Sequence, residues 1–250
     1  VTPVGPATAA LSVDLTSWVR PLCLGLSVGH PRGSTGSIGP FVRLADGRTA
    51  FLSSSIVLAP KGATRGDMIH QPGPRDQSVL TGQTRVGALW EFTPLVTGPA
   101  RNIDFGAAVL LDGIETSGNH IPPGCPEAGR PITTVVDSWA LETGDAVAFA
   151  GLGSAYGEAQ VVATDFTISV AEGAETLTFT GAIELQARSG PCSRPGDAGA
   201  LVWRRSDAAA IGMILASVNG SDDFFATYVL PLGPALAVLG GTLLAPSSSL

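Results

Sequence analysis

The sequence predicts an all-β protein built as two barrel-like halves of similar size, with a little helix at each end. Three observations lead there. Gly 32 and Pro 19 are spread along the 250 residues rather than clustered, and short apolar runs lie between them, as expected for many short strands. Hydrophobic residues make up 44% of the chain and charged residues 14%, which supplies a core and argues against disorder. The strand rhythm is interrupted once, by a turn-rich stretch that ends near Pro131, and then resumes.

The elements follow in chain order. Residues 7–20 place Leu11, Leu15, Trp18 and Val19 on one face of a short helix, which Pro21 stops. The run 22–30 is of β type and ends in turn formers. Phe41–Leu44 and Ala50–Ala59 read as the arms of a hairpin, with Asp46-Gly47 as its turn. Residues 61–76, rich in Gly, Pro and Arg, read as a surface loop. A strand is expected over 84–95. Asp104 then leads into another over 105–111.

Beyond the linker, strands are expected in DAVAFAGL, AQVVATDFTISV, ETLTFTGAIEL, GALVWR, AAIGMILAS and FFATYVL. PALAVLGG reads as a closing helical turn and APSSSL as a frayed tail. The boundaries are a helical extension at 1–21, a first barrel at 22–116, a linker at 117–131, a second barrel with its closing helix at 132–238, and a tail at 239–250.

Composition removes several functions. The net charge is -7 and Lys61 is the only lysine, so phosphate-led nucleic-acid binding is not expected. No apolar run approaches the ~18 residues of a membrane-spanning helix, so no membrane partner is expected. Cys23, Cys125 and Cys192 form no disulfide framework and, with three histidines, no cluster of metal-ligand spacing. No metal or cofactor is expected. No signal peptide is visible in a chain that begins at Val1, and a reducing, cytoplasmic bacterial setting is the expectation.

Three segments carry the chemical reading. Pro195-Gly196-Asp197-Ala198-Gly199-Ala200-Leu201-Val202 resembles the nucleophile loop of trypsin-like serine proteases, a Gly-Asp-Ser-Gly turn followed by an apolar strand. Such a turn presents a hydroxyl and aims backbone N–H groups at a developing oxyanion. Phe51–Ala59 resembles the family's histidine segment, with Ile56 on the histidine. Asn102–Val109 resembles its aspartate segment, with Asp104 retained. The order is the family's own. Each segment alone reads equally well as an ordinary turn or core strand; their order and spacing do not.

The resemblance, to the bacterial branch of the trypsin-like family, implies a chymotrypsin fold of two six-stranded barrels. It puts Ile56, Asp104 and Ala198 at the triad positions. It puts the oxyanion loop at Gly196, Asp197 and Ala198, and the specificity pocket around Cys192, Ser193, Ala216 and Ser217. That pocket has no acidic residue, which suits a small or apolar side chain. Alanine offers no nucleophile and isoleucine no general base. Loss of either group in a serine protease costs ~10⁶-fold in kcat.

The resemblance therefore implies an inactive homologue that binds a protein or extended peptide in its inter-barrel cleft. An active endopeptidase represented by a Ser-to-Ala variant at 198 is the alternative, and a β-domain without a working cleft is a third reading. His30, His70 and His120 are expected in structural roles. With Ile56 in place of histidine, Asp104 should turn to water or to Ser54, Ser55 or backbone N–H groups near 55–57.

Overall fold

The computed structural model describes residues 13–219 and 225–245. In the first half, β1 (Ser27–Val28) pairs with β2 (Gly36–Ser37). The hairpin of β3 (Phe41–Arg43) and β4 (Thr49–Ser53) closes through the expected Asp46-Gly47 turn, where Asp46 Oδ1 accepts from Arg48 N at 3.0 Å. A four-residue helix, α1 (Ser55–Leu58), follows. Then come β5 (Met68–His70), β6 (Arg85–Phe92) and β7 (Gly106–Leu110).

The second half holds β8 (Ala146–Gly151), β9 (Ala155–Glu172), β10 (Glu175–Gln186), β11 (Leu201–Arg204), β12 (Ala210–Asn219) and β13 (Phe225–Pro231). It ends in α2 (Leu232–Leu239) and β14 (Thr242–Leu243).

These strands make two six-stranded units. In the second, β10-β13-β12-β11-β8-β9 closes into an antiparallel barrel. In the first, β14-β3-β4-β7-β6-β5 forms a six-stranded antiparallel sheet. Inward residues alternate along the strands and bury an apolar core that includes Phe41, Phe51, Phe149 and Trp203. Asn119, buried, staples the link between halves to the first sheet: its Oδ1 accepts from Phe41 N and its Nδ2 donates to Phe41 O, both at 2.7 Å. Among the described residues no helix is long and apolar enough to cross a membrane.

Several sequence expectations are corrected. The strand expected over Ala50–Ala59 ends at Ser53, because Ser54 O takes the N–H groups of Val57 and Leu58 and starts a helical turn. The Ser54 and Ser55 hydroxyls turn to Asp104 instead of facing along a strand, the competition that makes serine a poor strand and helix former. The loop expected at 61–76 contains β5, whose Ile69 is buried and whose backbone completes the edge of β6. Of the run 22–30, only Ser27–Val28 is strand.

Residues 13–20 are turns and bends rather than the end of a helix; the rest of that expected helix lies outside the described residues. The tail expected at 239–250 is partly ordered, since Thr242–Leu243 pairs with Val42–Arg43 and Leu243 is buried. Its last five residues lie outside the described part.

Candidate functional site

Asp104 sits at the entry to β7, buried. Ser54 Oγ donates to its Oδ2 at 2.7 Å, and Ser55 N donates to the same oxygen at 3.2 Å. Ser55 Oγ donates to Oδ1, and Thr93 Oγ1 lies 3.2 Å from it. The carboxylate is thus held by the serines that start α1, with no imidazole involved. Ile56, half-buried on that same turn, packs with Leu95 and Leu215 beside Asp104. Leu215, on β12, lines both this pocket and the cleft at Ala198, and so joins the two.

The loop carrying Ala198 is braced from the first half. Ser37 N donates to Ala198 O at 3.0 Å, and Ser37 Oγ donates to Gly196 O at 2.8 Å. Gly199 adopts φ +86, and a Cβ there would collide with Ser53 Oγ, so no other residue fits. Asp197 is fully buried, and its carboxylate accepts from Gly153 N, Ser154 N, Ser154 Oγ and Arg194 N at 2.5–3.0 Å. Burial pushes its carboxyl up, and those four donors oppose the shift.

Among the described residues neither Gly196 N–H nor Ala198 N–H has a hydrogen-bond partner. Both residues line a cleft of about 140 Å³, with Ser193, Leu215, Ala216 and Ser217 among its other walls. The loop therefore leaves two backbone donors available at the cleft, while position 198 carries only a methyl.

Three of the four expected pocket residues line this cleft, and Cys192 does not. Its thiol is buried, 2.9 Å from Thr227 Oγ1. The three cysteines are free and buried. The histidines stand elsewhere. His30 Nδ1 accepts from Arg32 N at 3.0 Å and its Nε2 faces Asp67 at 3.1 Å. His70 Nδ1 lies 2.8 Å from Thr84 Oγ1, and burial lowers its pKa. His120 donates to Ser117 O. None reaches Asp104, and no metal-ligand cluster occurs among the described residues.

Thr93, Leu95 and Leu215 were not singled out in the sequence. Neither was the β9–β10 hairpin, whose Val170, Leu177 and Phe179 close the pocket over Ile56. An amphipathic strand pair gives no sign of which distant wall its apolar face meets.

No protein-family model and no curated protein matches the sequence. The fold, however, is that of bacterial chymotrypsin-type serine proteases. Thermobifida fusca protease A superposes with a TM-score of 0.62 at 18% identity, covering 89% of this chain and 98% of that one. The Nocardiopsis protease gives 0.62 at 16%, covering 89% and 98%. The chymotrypsin of Cellulomonas bogoriensis gives 0.59 at 17%, covering 89% and 97%.

Proposed function

We propose that this chain is a trypsin-like serine protease homologue without peptidase activity, and that its cleft binds an extended segment of a partner protein. The observation that carries the reading is the contrast between the two sides of the site. Asp104 is satisfied by Ser54 and Ser55, so nothing at the site calls for a histidine. The loop at Gly196–Ala198 meanwhile lines a cleft, and the N–H groups of Gly196 and Ala198 have no partner among the described residues. Chemistry is absent where binding geometry persists.

The edge of β12 supports a strand-like ligand. Residues 216–219 pair with β13 after a bulge at Leu215 and, beyond Met213, no longer with β11. A peptide laid along this edge would add a strand, drawing affinity from main-chain bonds and specificity from the pocket. The cleft's walls include Ile214, Leu215 and Ala216, with Ser193 and Ser217 and, on the loop before Gly196, Arg194 and Pro195, and its apolar side suits a small aliphatic side chain.

The test uses the unmodified chain immobilised against unstructured casein-derived peptides, with casein hydrolysis followed in parallel. Saturable binding without hydrolysis is expected, and Ala216→Arg, which fills the cleft, should weaken it at least tenfold. Hydrolysis by the unmodified chain would overturn the reading, as would binding that Ala216→Arg leaves unchanged.

A further inference from the structure

The loop at Gly196–Ala198 offers donors to the cleft and keeps its acceptors occupied. Gly196 O accepts from Ser37 Oγ at 2.8 Å, Asp197 O from Ala200 N at 2.9 Å and Ala198 O from Ser37 N at 3.0 Å. Every carbonyl of the three residues is thus taken, while the N–H groups of Gly196 and Ala198 have no partner among the described residues. Successive backbone N–H groups left free in a turn of this kind make a concavity that favours an anion.

The side chains agree with the backbone. Arg194 is the only ionised residue among the described residues that line the cleft, and its guanidinium enters none of the ion pairs among them. Asp197 is not part of the lining; its carboxylate is buried and spent on Gly153, Ser154 and Arg194 N. Ala198 contributes a methyl, which sets no lone pair against an incoming anion.

The arrangement is in place before any ligand arrives. Ser37 Oγ also accepts from Leu152 N at 2.9 Å, and Ser53 Oγ donates to Ser37 O at 2.8 Å. Ser37 therefore ties the loop to β4 and to the turn after β8, and donors fixed in advance cost little ordering on binding.

A carbonyl inside a peptide would bring one uncharged oxygen to these groups. A free C-terminal carboxylate brings two oxygens and a full negative charge, which match two N–H groups and a guanidinium. Charge-assisted hydrogen bonds are about twice as strong as neutral ones. They also offset the cost of drawing a carboxylate out of water. Capture of a C-terminal carboxylate by backbone donors is a recurring mode of peptide recognition.

We propose that the ligand of the cleft is the free C-terminus of a peptide or protein that ends in a small aliphatic residue. This rests on the reading of the cleft as a peptide-binding site. The terminal carboxylate sits on Gly196 N, Ala198 N and the Arg194 guanidinium. The last side chain meets Ile214 and Ala216, and the preceding residues run along β12.

The experiment titrates the full chain with N-terminally labelled Ala-Ala-Val bearing either a free carboxylate or a C-terminal amide. The acid should bind about tenfold or more tightly than the amide. Arg194→Gln should remove most of that preference, and Arg194→Lys, which keeps the charge, should retain most of it. Ala216→Glu, which fills the cleft and repels an anion, should abolish binding of the acid. Equal binding of acid and amide would overturn this proposal and leave the cleft a binder of internal segments. A preference for the acid that survives Ala216→Glu would place the carboxylate elsewhere and overturn it too. Binding of neither peptide would overturn it together with the reading on which it rests.

Discussion

Ser54 Oγ donates to Asp104 Oδ2 at 2.7 Å, and both residues are buried. A carboxylate at this depth is tolerated because its lone pairs are taken by hydrogen bonds. Replacing Ser54 and Ser55 together by alanine removes two hydroxyl donors from a buried charge. The double variant is expected to lose ~3 kcal/mol of unfolding free energy. Denaturant unfolding checks this; a loss below about 0.5 kcal/mol would mean that Asp104 is solvated instead.

The contacts at the tip of the β9–β10 hairpin should depend on pH. Hydrogen bonds from Thr97, with the Lys61 ammonium beside it, pull the Glu175 carboxyl down from 4.5 to about 2. A depressed folded-state pKa means that this stabilisation is present above the unfolded value and is lost as pH falls toward 2. The difference in Tm between the unmodified chain and Glu175→Gln should therefore be largest above about pH 5 and shrink steadily down to about pH 2. A difference that stays constant across that window would show that the charge of Glu175 does not matter.

Asn119 satisfies both backbone groups of Phe41. Asn119→Ala leaves Phe41 N buried without a partner, while Phe41 O keeps Leu244 N at 2.9 Å, and a cost of ~1–3 kcal/mol is expected. The urea midpoint should fall with an unchanged m-value.

Burial pushes the Cys23 thiol up to about 11 and the Cys125 thiol up to about 12, and raises that of Cys192 as well. The thiolate is the reactive form, so the native chain should resist alkylation at about pH 8 and yield all three thiols once unfolded. A thiol count on native and denatured protein checks this. Fast labelling of the native chain would contradict the burial.

What could be read in the sequence was what local chemistry decides. The Asp46-Gly47 turn, the strands of the second half and the apolar strand after Pro195–Gly199 each carry their own pattern. The order of the three motif segments was enough to expect a chymotrypsin fold. What could not be read depends on distant partners. Ser53–Ile56 looked like continuing strand because nothing nearby says that Asp104, some fifty residues on, will claim the serine hydroxyls. Residues 165–181 read as ordinary strands, since neither the register shift between Phe179 and Ala182 nor the bridge from Phe179 to Arg101 has a local signature. Cys192, placed in the pocket by its neighbourhood, has its thiol buried against Thr227 instead.

The most direct measurement restores Ile56→His and Ala198→Ser together and treats this variant and the unmodified chain with a fluorophosphonate probe. Under the proposed function, position 56 stands where the base would sit and position 198 where the nucleophile would. The account predicts no labelling of the unmodified chain and clear labelling of the double variant, on the hydroxyl introduced at position 198. Labelling of the unmodified chain, or a natively folded double variant labelled no better than it, would contradict the account.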